Sequence, residues 1–149
     1  MTAIKTIVVG FEASQTAERA LNRAADLAEA LGARLVVTSV SMVPLPSSDI
    51  AATLPGAAVG FAAAATDELA LAEEHLARAR ALLEQRGVQG DYVPEVGTPA
   101  DRIAAVAEDC RADLIVVGTS EPGFLRRLLE GSVSEEVSRA THCDVLIVH

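Results

Sequence analysis

The sequence predicts an α/β protein built on a doubly wound parallel sheet, and three features carry that prediction. Short runs of β-branched and aliphatic residues alternate with stretches of helical periodicity, in the order β-α-β-α-β-α-β-α-β. The runs are too apolar to be exposed on either face, as expected of parallel strands covered by helices on both sides. At 149 residues the chain has the size of one domain, residues 1–149, with room for a full core. Ligands of such sheets bind in the crevice outside the carboxyl ends of the strands, where the strand order reverses. Gly10, Val40 and Gly118 are expected at that edge.

Ile4 to Val9 is apolar and β-branched apart from Lys5 and Thr6, and it stops at Gly10. Ser14 then offers a helix N-cap. Ala17, Leu21, Ala24, Ala25, Ala28 and Leu31 recur at helical spacing, and Gly32 supplies the stop. Arg34 to Val40 is the second strand. Ser41 to Ala65 holds three prolines, two glycines and one charge, Asp49, and is expected to be a connection without regular structure. Its length fits a covering or binding loop or a disordered segment, and its apolar Leu54, Val59 and Phe61 suit the former.

Thr66, followed by Asp67 and Glu68, opens a second helix that runs to about Arg86 and ends at Gly87. Tyr92 to Val96 is a short third strand. Thr98 as cap, Pro99 at the first helical position and Asp101 in the first turn begin the next helix, which runs to about Cys110. Leu114 to Val117 forms a fourth strand that stops at Gly118. A final helix follows Gly131-Ser132 and ends near Ala140, and Asp144 to His149 is the last strand.

Half of the residues are hydrophobic but only 3% are aromatic, so the core is built from Ala, Val, Leu and Ile. A formal net charge of -9 argues against nucleic acid or an anionic membrane as the main partner. No apolar run approaches the roughly 20 residues needed to span a bilayer, and MTAIKTIVVG lacks a signal-peptide core. A soluble cytoplasmic protein is expected. Cys110 and Cys143 lack C-x-x-C spacing and read as buried thiols of a reducing compartment.

Few motifs support catalysis. Gly118-Thr119-Ser120-Glu121-Pro122-Gly123 misses the last glycine of the nucleophile elbow, and Pro122 and Gly123 argue against a helix directly after the serine. His75, His142 and His149 have neither metal nor triad spacing. No Walker A or G-x-G-x-x-G follows a strand. Gly10-Phe11-Glu12 and Pro94-Glu95-Val96 lack the acidic pair and the aspartate of a phosphoacceptor domain. The expectation is a protein that is not an enzyme.

The stretch from Asp113 to Ser134 holds the strongest binding signal. A strand ends in Gly118 and a helix opens on Gly131-Ser132, around a loop rich in Gly, Pro and Arg. Unpaired N–H groups and the positive dipole end at such a helix start suit a phosphate. Ser132 and Glu135 equally form an S-x-x-E capping box, which needs no ligand.

Gly118 and Gly131-Ser132 lie where the universal stress protein family carries G-x2-G-x9-G-[S/T], and the resemblance spans the chain. IVVGFEASQTAERAL resembles the family's first strand and helix entry, VGTPADRI its turn after the third strand, and SRATHCDVLIVH its C-terminus. The resemblance implies a Rossmann-like five-stranded sheet in the order 3-2-1-4-5. It also implies a stress-response protein that binds ATP or a related nucleotide, with or without Mg²⁺. By position, the nucleotide residues are Gly10, Phe11, Glu12, Val40, Val117, Gly118, Gly131, Ser132, Val133 and Ser134.

Two positions depart from the family pattern. Glu121 stands at the middle glycine of the motif, and Glu12 replaces the usual Asp after the first strand. Two like charges about 4 Å apart repel by roughly 4 kcal/mol at an effective dielectric of about 20, so Glu121 beside a phosphate calls for a cation. Arg126 and Arg127 can supply it through forked phosphate pairing, or can pair with Glu121 or Glu130 instead. The alternatives to a nucleotide-binding regulator are a family member acting through protein contacts alone and, more weakly, a slow nucleotide hydrolase.

In the implied strand order Asp144 to His149 is an edge strand without Pro or Lys, a template for pairing with another chain. The family similarly dimerises there, so a homodimer through Val145 and Ile147 is expected. The competing arrangement covers this edge with the chain's own Ser41 to Ala65 loop.

Overall fold

A computed structural model describes residues 3–42, 57–119, 141 and 143–149. Five strands, β1 (Thr6–Gly10), β2 (Arg34–Ser41), β3 (Asp91–Val96), β4 (Leu114–Gly118) and β5 (Asp144–Val148), form one sheet in the order β3-β2-β1-β4-β5. Every pairing is parallel, and β1 lies at the centre, with Val8 opposite both Val36 and Ile115. Three described helices flank it: α1 (Gln15–Leu31), α2 (Ala57–Gln85) and α3 (Pro99–Asp109). The helix expected from Gly131 to Ala140 lies outside the described residues, as does the 43–56 stretch of the expected loop.

Strand alternation divides the core into two layers. Ile7, Val9, Leu35, Val37, Leu114 and Val116 face α1 and α2, where they meet Leu21, Ala24, Leu76 and Leu83. Val8, Val36, Ile115 and Val117 point the other way, onto Ala100, Ile103, Val106 and Ala107 of α3. Alanines at the helix contacts let α1 lie close to the sheet, as expected of a chain so poor in aromatic residues.

α1 has the ends expected from its sequence. The Ser14 hydroxyl accepts a hydrogen bond from the Ala17 N–H at 3.1 Å, and Gly32 closes the helix with φ 62°, which glycine adopts without a Cβ penalty. α2 differs from expectation. It begins at Ala57 rather than Thr66, so residues 57–65 are helical and not part of an irregular loop. The reason is the run of alanines around Gly60, whose propensity outweighs the absence of a polar cap before Thr66. Gly60 is exposed in this helix, and the space that a Cβ would take is open. Gly60→Ala is therefore expected to stabilise the protein by about 0.5–1 kcal/mol in urea unfolding.

The strands also differ in exposure. Central strands are buried on both faces, but β3 and β5 are only half-buried. Edge position, rather than composition, decides this, because among the described residues each edge strand pairs on one side only. β3 carries Pro94, which cannot donate a ladder hydrogen bond and so discourages further pairing.

Two sets of side-chain contacts fasten the sheet and its helices. At the amino end, the Asp113 carboxylate accepts from the backbone N–H groups of Lys5 and Thr6 at 2.8 and 3.0 Å, tying the entry of β1 to that of β4. Asp113→Ala strips two backbone donors of their partner. We expect a loss of about 1–3 kcal/mol by urea unfolding, and less for Asp113→Asn, which retains one carbonyl acceptor. On the α1–α2 face, Arg86 Nη2 bridges Asp26 and Glu29 at 2.5 and 3.1 Å while its Nη1 donates to the Asn22 carbonyl, holding the end of α2 against α1.

Candidate functional site

At the carboxyl ends of β1, β2 and β4 the chain forms a cleft of ≈ 420 Å³, counting its open side. It is lined by Gly10, Phe11, Glu12, Ala17, Thr38, Val40, Pro99, Ile103, Val117 and Gly118. The location follows from topology. β1 leads to α1 on one face and β4 lies beside β1, where the strand order reverses.

Two glycines shape the floor. A Cβ on Gly118 would lie 2.8 Å from the Thr16 carbonyl oxygen, 2.9 Å from its carbon and 3.2 Å from the Ala17 nitrogen. Only a residue without a side chain lets β4 end this close to the first turn of α1. At Gly10 the nearest atom to such a Cβ is the Ile103 Cδ1 at 3.0 Å, the mobile end of a side chain, so the restriction there is milder.

One rim is a compact polar turn. Ala13 adopts φ 60°, uncommon for a residue with a side chain, and this reverses the chain between β1 and α1. Ser14 Oγ lies 3.1 Å from Glu12 Oε1, 3.3 Å from Thr16 Oγ1 and 3.1 Å from the Ala17 nitrogen. A hydroxyl has one proton, so Ser14 donates to the Glu12 carboxylate and accepts from both Ala17 and Thr16. The Glu12 carboxylate is thereby oriented at the cleft. It is the one formally charged side chain among the described lining residues.

The opposite wall is apolar and supplied by Val40, Pro99, Ile103 and Val117. Thr38 fastens its base. Its carbonyl accepts from the Phe11 N–H at 2.9 Å, and its hydroxyl donates to the Val93 carbonyl at 2.8 Å, joining the ends of three strands. Arg102 forks onto Glu95 Oε2, with Nε at 3.0 Å and Nη2 at 2.9 Å, which fixes the start of α3 and hence Pro99 against β3.

Six of the residues expected to bind nucleotide, Gly10, Phe11, Glu12, Val40, Val117 and Gly118, are brought together in this cleft. Phe11 is 2% exposed and belongs to the core layer that packs on α1 and α2, so it borders the cleft from within the core. Gly131, Ser132, Val133 and Ser134 lie outside the described residues, as do Glu121, Arg126 and Arg127. Sequence reasoning missed Ala17, Thr38, Pro99 and Ile103 as lining residues. Pro99 carries a signal, since a helix start after the third strand also faces the carboxyl edge. Ala17 and Ile103 read only as the apolar positions of a helix.

The edge residues are separate from the cleft. Val145 is 40% exposed and Ile147 packs partly against the α3 layer, while β5 pairs only with β4 among the described residues. No group of three or more His, Cys, Asp or Glu suited to a metal occurs among the described residues. No described helix is long and apolar enough to cross a membrane.

An all-parallel sheet in this order, with an apolar slot and a carboxylate at its carboxyl edge, defines a Rossmann-like α/β protein with a small-ligand crevice. The chain matches the model of the Universal stress protein family over residues 3–149, and it belongs to that family. It is 35% identical over 150 residues to the universal stress protein Rv1636 of Mycobacterium tuberculosis strain ATCC 25618 / H37Rv, covering 100% of this chain and 99% of that one. A universal stress protein solved in complex with cAMP is 33% identical, with a TM-score of 0.60 and 99% of each chain covered. The Archaeoglobus fulgidus universal stress protein solved in complex with dAMP is 23% identical, covers 99% of this chain and 100% of its own, and has a TM-score of 0.63. That last likeness is one of fold.

Proposed function

We propose that this universal stress protein is a regulator that binds an adenine nucleotide, ATP or a related one, in the cleft above β1, β2 and β4. The observation that carries the reading is the convergence of Gly10, Phe11, Glu12, Val40, Val117 and Gly118 on one cleft. The 33% identical relative solved with cAMP supports a nucleotide of this class. The apolar wall of Val40, Pro99, Ile103 and Val117 suits a flat base. The Glu12 carboxylate is an acceptor for sugar hydroxyls, and the resemblance to the family gives the phosphates to Gly118 and the Gly131-Ser132 motif. Mg²⁺ would travel with the phosphates of a triphosphate. Binding, rather than turnover, is the activity, and nucleotide occupancy sets the affinity for a protein partner in the cytoplasm.

Calorimetric titration with ATP and with cyclic AMP, each with and without Mg²⁺, tests this. Saturable binding of either is expected, without phosphate release above background. No detectable heat at millimolar nucleotide would favour a member acting through protein contacts alone, a reading that Glu121 in the middle of the motif favours. Phosphate release would favour a hydrolase. The β5 edge, paired only with β4 among the described residues, and the exposed Val145 support a two-fold homodimer through Val145 and Ile147. Light scattering at micromolar concentration is expected to give twice the 15.5 kDa chain mass, and a monomer would refute the dimer.

A further inference from the structure

The two cysteines have no part in the cleft, and they lie at the opposite, amino end of the sheet. Cys110 caps the end of α3. The chain then reverses at Arg111, φ 53°, and enters β4 through Ala112 and Asp113. Cys143 immediately precedes β5, whose Asp144 is the register partner of Leu114 and donates its N–H to the Asp113 carbonyl at 3.3 Å. Both thiols are free and half-buried, and both pack against the same layer on the α3 face of the sheet.

A short chain of contacts links them. Cys143 Sγ donates to the Ala112 carbonyl at 2.7 Å, Ala112 N–H donates to the Ala107 carbonyl at 2.8 Å, and Cys110 Sγ donates to that same Ala107 carbonyl at 3.7 Å. Same face, same sheet end and acceptors joined by one backbone hydrogen bond place the two thiols in one neighbourhood of the fold.

We propose that Cys110 and Cys143 form an oxidation site, a dithiol that a hydroperoxide converts into an intramolecular disulfide joining the end of α3 to the start of β5. The environment assigns the roles. Burial pushes both thiols up from their ordinary range, but the Arg34 guanidinium opposes this at Cys110, whereas Asp113 and Asp144 push Cys143 further up. Asp109 also pushes Cys110 up, and we assign the attack to Cys110 because it is the thiol that a guanidinium faces. Its thiolate takes the outer oxygen of the hydroperoxide. The O–O bond breaks, the remaining fragment leaves as water or an alcohol after gaining a proton, and Cys110 becomes a sulfenic acid. The Cys143 sulfur then attacks the Cys110 sulfur, the S–O bond breaks, and the hydroxyl leaves as water with the Cys143 proton. Two electrons pass from the two thiols to the peroxide. The reaction is slow relative to exposed low-pKa thiols, because both groups are partly desolvated. The new bond closes a covalent loop that contains Gly118, Gly131 and Ser132, and its formation does not depend on nucleotide binding.

The test is treatment of the reduced full-length protein with hydrogen peroxide, followed by alkylation, intact-mass measurement and proteolytic mapping. The expected result is the loss of two hydrogens, no free thiol, a peptide pair joining Cys110 to Cys143 within one chain, and reversal by dithiothreitol. In Cys143→Ser, dimedone is expected to trap a sulfenic acid at Cys110. In Cys110→Ser, Cys143 is expected to be trapped several-fold more slowly. Thiols that stay alkylatable, sulfinic acid formed without a cross-link, or a disulfide between two chains would each overturn the proposal. The wild-type mapping decides the matter even where a variant fails to fold.

Discussion

Gly118→Val is expected to destabilise the protein by about 3 kcal/mol or more and to close the cleft, the largest effect of any single substitution at the site. The Cβ would sit 2.8 Å from the Thr16 carbonyl oxygen and 2.9 Å from the carbonyl carbon, inside contact distance of two backbone atoms. Backbone in the first turn of a capped helix cannot swing aside as a side-chain end can. Relief requires α1 or β4 to move, and both carry core residues buried from solvent, Ala17, Leu21, Val116 and Val117 among them. For a chain of this length the loss corresponds to a fall in Tm of roughly 10 °C. Gly118→Ala introduces the same Cβ with fewer atoms and should lose less, but still more than about 0.5 kcal/mol by urea unfolding. An alanine variant as stable as the wild type would mean that the close approach of β4 to α1 does not exist. Nucleotide affinity in either variant is expected to fall at least tenfold, since the floor of the cleft is set by that approach.

Leu21→Ala is expected to remove about 2–5 kcal/mol of stability without touching the cleft. Leu21 is 0% exposed and belongs to the layer formed by Ile7, Val9, Val116, Leu76 and Leu83. Every other buried residue of α1 is alanine, so the helix itself has no bulk to collapse into the void. In the same helix Leu31 is 49% exposed, and Leu31→Ala should change stability by no more than about 0.5 kcal/mol. Urea unfolding of the two variants compares burial directly. Equal losses would mean that α1 does not present Leu21 to the core.

Most of the fold is legible in the sequence because its signals are local. A parallel strand announces itself as a continuous apolar run, and Ile7 to Val9, Leu35 to Val37 and Leu114 to Val117 are such runs. Ser14 and Gly32 mark the ends of α1 through interactions made within one helical turn. Where local signals conflict, the boundary shifts. The prolines and glycines after Ser41 suggest an irregular segment continuing to Ala65, but the alanine run from Ala57 is helical. The half-exposure of β3 and β5 is not written in their composition at all. It follows from pairing on one side only among the described residues, which is a property of strand order.

The cleft divides in the same way. Gly10, Val40 and Gly118 are found because strand ends are recognisable and the topology of parallel sheets sends those ends to one edge, and Glu12 through the resemblance to the family. Ala17 and Ile103 are lining residues that look like ordinary core positions, since a helical apolar periodicity does not say which residue of the stripe sits at a rim. Phe11 is expected at the site by its position in the family pattern, and the structure shows it lining the cleft while 2% exposed in the core layer.

The sequence by itself determined the alternation of strands and helices, the caps of α1, the glycines at the strand ends and the family that these motifs belong to. All of these depend on residues within a few positions of one another. Only the tertiary structure decided what each of those features touches. Asp113 holds the entry of β1 across a separation of 107 residues, Gly118 rests on the backbone of Thr16, and Cys110 and Cys143 share one end of one face. Such contacts follow from how sheet order and helix packing bring distant segments together, and the physical reason they escape the sequence is that no local propensity encodes a distance across the fold.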